Sequence, residues 1–135
     1  MLVGLTNELT RAVPHQDDPT IAEGEVLLRR VHPAQIVSDE AGQPRISSAA
    51  FKDPELSVDL HSVLSEAGYS VNFTLRDHPA YGLASITAGQ VRAANQLVCR
   101  DPLPSNPAHA LVVGNKTSSV ARQLAKLANL VVIPK

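Results

Sequence analysis

Few side chains in this sequence could do chemistry, and the histidines come first. There are five: His15, His32, His61, His78 and His109. No two are three or four residues apart, and none joins Cys99 in a zinc-type spacing, so neither a metal site nor a cofactor is expected. Two stand where a site can be built. His32 follows Arg29 and Arg30 at the end of an apolar run, and His109 closes a proline-rich stretch, residues 101–107 (DPLPSNP). Loops held by a rigid scaffold are common places for function. If His32 and His109 converge, they form a general acid and base pair working near neutral pH, with Arg30 stabilising charge that develops on a phosphate. That chemistry suits RNA cleavage or phosphate-ester chemistry. In the alternative, His109 bonds the loop backbone and His32 is a solvated strand end.

Ser47 and Ser48, in RISSAAFKD, form a second candidate group with Ser57. Their hydroxyls could donate to a phosphate or ribose, helped by Arg45 or Lys52, or could cap a bulge and the following helix. No G-x-S-x-G elbow or S-x-x-K nucleophile is present. Residues 114–119 (GNKTSS) share Gly, Lys, Thr and a helix start with phosphate-binding loops. The first glycine of G-x-x-x-x-G-K-[ST] is missing, however, so a capped turn is the expectation. Cys99 sits in an apolar strand and reads as a buried, inert thiol. Asp77 with His78 and Asp101 with Arg100 read as turn and surface pairs.

Composition narrows the classes. The net charge of −1 and pI near 6.5 give no bulk attraction to nucleic acid or an anionic membrane. The charge is nevertheless uneven. Residues 1–24 carry Glu8, Asp17, Asp18 and Glu23 against Arg11, leaving eleven basic and nine acidic side chains in residues 25–135. With four aromatic residues, Phe51, Tyr69, Phe73 and Tyr81, the core must be aliphatic. One cysteine permits no internal disulfide, which suits a reducing compartment, and no signal or membrane-spanning pattern occurs, so a cytoplasmic protein is expected.

Elements that could position these residues follow from periodicity and punctuation. Residues 1–24 read as a loosely held, flexible N-terminal arm or, in the alternative, as an arm packed on the body or on a partner chain through Leu2, Val3, Leu5 and Leu9. Residues 25–135 read as a single globular domain. Residues 25–31 (EVLLRRV), stopped by His32 and Pro33, predict a first strand. Residues 45–51 predict a second strand or edge, and a helix is predicted from Ser57 as N-cap to Gly68. A strand at 83–87, helical turns at 88–95, strands at 96–99 and 110–113, a helix capped by Ser118 or Ser119, and a final strand at 130–133 complete the reading.

Three phrases, RRVHP at 29–33, ISSAAFKD with LSVDL at 46–60, and RDPLPSNPAHALVVG at 100–114, resemble a group of small bacterial proteins over roughly residues 26–134. That resemblance implies no particular activity or catalytic residue. LLRRV and RISSAAF are also similar to the basic and serine-bearing strands of small NAD-acting toxins of the ADP-ribosyltransferase class. This sequence departs from that class in having no glutamate after Glu66.

The expected fold is α+β (or α/β), with a central sheet of about five strands, two main helices and the last helix across one sheet face. The expected function is binding of, and action on, a phosphate-bearing ligand such as a nucleotide or RNA, through Arg30, His32, Ser47, Ser48 and His109. The competing expectation is a non-catalytic protein-interaction module of accessory or immunity type, working with a protein partner or a second copy of the chain.

Overall fold

Residues 25–31 are apolar on both sides, and a strand of that kind belongs in the middle of a sheet. The computed structural model, which describes residues 15–135, bears this out. The strands are β1 (Val26–Val31), β2 (Ile36–Ser38), β3 (Pro44–Ile46), β4 (Glu55–Leu60), β5 (Gly82–Thr87), β6 (Leu97–Arg100), β7 (His109–Val113) and β8 (Asn129–Val132). Six of them form one sheet in the order β6-β7-β4-β1-β5-β8, antiparallel at every pairing, while β2 and β3 form a separate hairpin. Among the described residues, three α-helices, α1 (His61–Glu66), α2 (Ala88–Ala93) and α3 (Ser118–Leu127), complete a small single α+β domain. Among the described residues no helix is long and apolar enough to cross a membrane.

Strand alternation gives the sheet two unlike faces. On the first, Leu27, Val31, Leu56, Val58, Leu60, Ile86, Val98 and Val112 are buried under Phe51, Val91, Ala121 and Leu124. The second carries a smaller cluster, Leu28 and Leu83 under Leu64 and Leu75. Leu56, Val58 and Leu60 alternate inward while Ser57 and Asp59 face the other way, so residues 55–60 are a strand. Only His61–Glu66 of the helix predicted from Ser57 is helical, and its N-cap, Leu60, makes no side-chain cap bond. The expected strand at 45–51 also shortens: after β3, Ser47 caps a 3₁₀ turn, Ser48–Phe51, that delivers Phe51 to the core fully buried.

Helix α3 forms where its amphipathic spacing predicts, but its cap is Thr117 rather than Ser118 or Ser119: Thr117 Oγ1 accepts from the Val120 N–H at 3.2 Å. It buries Ala121 and Leu124 and turns Ser119, Arg122, Gln123 and Lys126 outward. Residues 15–24 are tied to the domain and are not the loose arm that their composition suggests. Ile21 is 2% exposed, and the Arg92 guanidinium holds Asp17 at 3.0 Å, Glu23 at 2.6 Å and the Asp18 carbonyl at 2.9 Å. The expected arm contacts of Leu2, Val3, Leu5 and Leu9 lie outside the described residues.

Candidate functional site

A groove of about 1000 Å³ lies between the β2–β3 hairpin, the 3₁₀ turn Ser48–Phe51 and the outer side of α3. Its polar lining comes from two distant stretches of sequence. Arg45, Ser47 and Ser48 stand on one wall, and Ser119, Arg122 and Lys126 on the other. None of the lining residues is acidic or aromatic. Among the described residues, Arg45, Arg122 and Lys126 make no side-chain hydrogen bond or ion pair, so their charges face the groove uncompensated by a bonded partner.

Local structure fixes the serine wall. The Ser47 N–H donates to the Gln35 carbonyl at 2.7 Å, and its Oγ accepts from the Ala49 N–H at 3.2 Å. A capping hydroxyl that accepts from the backbone keeps its own O–H free to donate outward. On the helix wall, Ser119, Arg122 and Lys126 fall at positions i, i+3 and i+7 of α3, so they share one stripe. The sequence pointed to Arg45, Ser47 and Ser48. Arg122 and Lys126 were missed because only the packing of α3 against the 3₁₀ turn brings them there.

Arg30, His32 and His109 lie elsewhere, on the second face of the sheet. His32 caps the 3₁₀ turn Pro33–Gln35. Its Nδ1 accepts from the Ala34 N–H at 2.9 Å, and its own N–H donates to Gln35 Oε1 at 2.9 Å. The His32 ring meets Tyr81 edge-on at 5.1 Å, and His78 packs on the same tyrosine at 4.7 Å. Arg30 is half-buried, and its side chain makes no hydrogen bond or ion pair among the described residues.

His109 opens β7, opposite Asp59 of β4, which in turn stands opposite Leu28 of β1. His32 is four residues beyond Leu28, roughly 13 Å along the strands, and β1 is two strands from β7, about 10 Å across. The two histidines are therefore roughly 16 Å apart. The expected acid and base pair does not assemble: the end of β1 and the neck of the proline loop stand at different levels of the sheet. Ser47 and Ser48 belong to neither.

His109 bonds the loop backbone, as the alternative reading expected, and also meets two side chains that the sequence did not point to. Its Nδ1 lies 3.0 Å from both the main-chain carbonyl and Oδ2 of Asp101, and its Nε2 lies 3.2 Å from Ser57 Oγ. Asp101, read from sequence as a surface partner of Arg100, stands at the neck of the loop, where its N–H donates to the His109 carbonyl at 2.9 Å. Arg100 bonds Asp18 instead, at 3.1 Å. The loop is rigid by construction. Asn106 donates to the buried Asp59 carboxylate at 2.8 Å, Thr74 donates to its other oxygen at 2.8 Å, and Arg76 holds the Ser105 carbonyl at 3.3 Å.

The other chemically suggestive residues are structural. Cys99 is buried with its thiol on the Gln16 carbonyl at 3.1 Å, and burial, then Asp17 and Asp18, push its pKa up, away from the reactive thiolate. Lys116, in the stretch resembling a phosphate loop, turns inward and donates to the carbonyls of Pro54, Val112 and Gly114, leaving no donor for a phosphate. The Arg29 guanidinium bonds the carbonyls of Ala50 at 3.1 Å and Ser57 at 3.2 Å, and burial, then the charge of Arg30, lowers its pKa against the pull of Asp53. Among the described residues no three of His, Cys, Asp and Glu gather as metal ligands would. No family model, no curated protein and no solved structure matches this chain.

Proposed function

We propose that the protein binds a phosphate-bearing ligand, a nucleotide or a stretch of RNA, in the groove between the β2–β3 hairpin and α3. One observation carries this reading: Arg45, Arg122 and Lys126 line a hollow of about 1000 Å³ with three serines and no acidic residue. A groove of that composition attracts anions, and its serine hydroxyls can donate to phosphate oxygens. The absence of aromatic side chains from the lining means that bases are not held by stacking. Recognition then runs through phosphate and is salt-dependent. With three cations engaged by single-stranded RNA, affinity falls about 20-fold between 50 and 200 mM salt.

Thermal unfolding against ADP, NAD and an eight-nucleotide RNA tests the reading. A ligand at about one hundred times its Kd stabilises the fold by about 2.7 kcal/mol, which raises Tm by about 10 °C for a chain of this length. The variant R45E/R122E/K126E, altered only at exposed positions, loses that increment. A flat panel for the wild-type chain refutes the proposal.

A second reading, a protein-interaction module, is favoured by a different feature. β8 is an edge strand, and Val131 and Ile133 are 50% and 61% exposed on and just beyond it. Free edges with exposed apolar side chains are templates for another chain. Under this reading the protein sediments as a dimer, or as a complex with a partner, and Val131→Lys returns it to monomer.

A further inference from the structure

The contact between Ser57, His109 and Asp101 lies on the opposite face of the sheet from α3 and is independent of the groove. Its geometry fixes the protonation pattern of the imidazole. The main-chain carbonyl of Asp101 can only accept, so His109 Nδ1, 3.0 Å away, carries the proton. In the neutral ring Nε2 is then a bare acceptor, and the hydroxyl 3.2 Å from it, Ser57 Oγ, is the donor. The carboxylate of Asp101, 3.0 Å from the same Nδ1, favours the imidazolium that forms if Nε2 takes the serine proton. These are the three relations an activated serine requires: a nucleophile bonded to a base, a base in the right tautomer, and an anion behind it.

The scaffold holds these groups tightly. Ser57 lies within β4 and His109 opens β7, one registered antiparallel pair in which Ser57 is opposite Leu111. Asp101 is fixed by the hydrogen bond that closes the proline loop. The group is open to solvent: the His109 side chain is 16% exposed, that of Asp101 44%, and Ser57 is partly exposed. Arg30 lies on the same face of the neighbouring strand β1, two residues beyond the Leu28–Asp59 pair, just as Ser57 lies two residues before Asp59.

We propose that Ser57 is a nucleophile for carboxylic esters, with His109 as its general base, the Asp101 main-chain carbonyl and carboxylate as positioning groups, and Arg30 supplying positive charge near the developing oxyanion. In the first half-reaction Ser57 Oγ forms a bond to the acyl carbon, its proton passes to His109 Nε2, and the ester C–O bond breaks as the alcohol leaves with that proton. In the second, water adds to the acyl carbon, its proton passes to Nε2, and the bond between the acyl carbon and Ser57 Oγ breaks as Oγ takes that proton, releasing the acid and restoring the hydroxyl.

Diisopropyl fluorophosphate tests this directly. Ser57 Oγ displaces fluoride from phosphorus and its proton goes to Nε2, leaving a stable phosphoserine ester that peptide mass mapping locates. The expected result is one adduct, on Ser57, absent in Ser57→Ala and formed at least 100-fold more slowly in His109→Gln, with far-UV circular dichroism reporting the fold of each variant. Asp101→Asn distinguishes this arrangement from a purely structural one. The main-chain carbonyl still selects the tautomer, so labelling slows by about 10-fold rather than by the roughly 10⁴-fold recorded for the Asp-to-Asn change in chymotrypsin-type triads. A folded wild-type chain that is unlabelled at Ser57, or labelled at equal rates with and without His109, overturns the assignment.

Discussion

Replacing Lys116 by Met probes a cation that the fold has drawn inside. Lys116 is 8% exposed, and its Nζ lies 2.9 Å from the Val112 carbonyl and 3.3 Å from those of Pro54 and Gly114. Burial lowers its pKa from 10.5 to about 8, with Asp53 opposing the change and Arg29 adding to it. A lysine whose folded pKa lies below its unfolded value binds its proton less readily when folded. Between pH 8 and 10.5 the unfolded chain therefore holds more protons, and stability rises with pH. Below pH 8 both states carry the charge, and the dependence fades. From pH 7.5 to 9.5 the full shift corresponds to roughly 2 kcal/mol, and screening by nearby solvent brings the expectation to about 1 kcal/mol. Met conserves the length of the side chain and removes the titration. Urea unfolding of both proteins at the two pH values reads the effect as a difference of differences, and every other titrating group cancels. The wild-type midpoint should gain on the variant by roughly 0.7 M as pH rises. A constant gap, or one that moves the other way, refutes the account of a desolvated ammonium.

Two further substitutions test how the remaining segments are held. Gly82→Ala should detach β8, because a Cβ there meets the Val132 carbonyl oxygen and Pro134 Cδ, the latter at 2.6 Å; fast amide exchange at residues 129–132 with the rest of the sheet protected is the expected result. Arg92→Ala should release residues 15–24, since its guanidinium joins Asp17, Glu23 and the Asp18 carbonyl; a loss of about 1–2 kcal/mol in urea unfolding and new proteolysis in that stretch are expected, and an unchanged midpoint would contradict it.

Where apolar runs end abruptly at proline or glycine, the fold was legible in the sequence. β1 stops at His32 and Pro33, β7 follows the prolines of residues 101–107, and α3 shows a clean apolar stripe. Residues 55–68 misled because Leu60, Val63 and Leu64 share helical spacing, while the inward set Leu56, Val58 and Leu60 obeys the strand period over the same stretch. Tertiary pairing with β1 and β7 decides between the two patterns for residues 55–60. RISSAAF looked extended because only burial of Phe51 reveals the turn at Ser47. Arg45, Ser47 and Ser48 were readable as a group because they are neighbours in sequence. Arg122 and Lys126 join them only through α3, and Ser57 meets His109 only through the β4–β7 register, which no local signal encodes.

Amide chemical shifts of ¹⁵N-labelled protein titrated with ADP test the phosphate-binding groove most directly. The account predicts saturable shifts confined to residues 44–48 and 119–130, weakening as salt is raised, with Ser57 and His109 unmoved. Saturable shifts clustered away from those two stretches, or none at millimolar ADP in low salt, would contradict it.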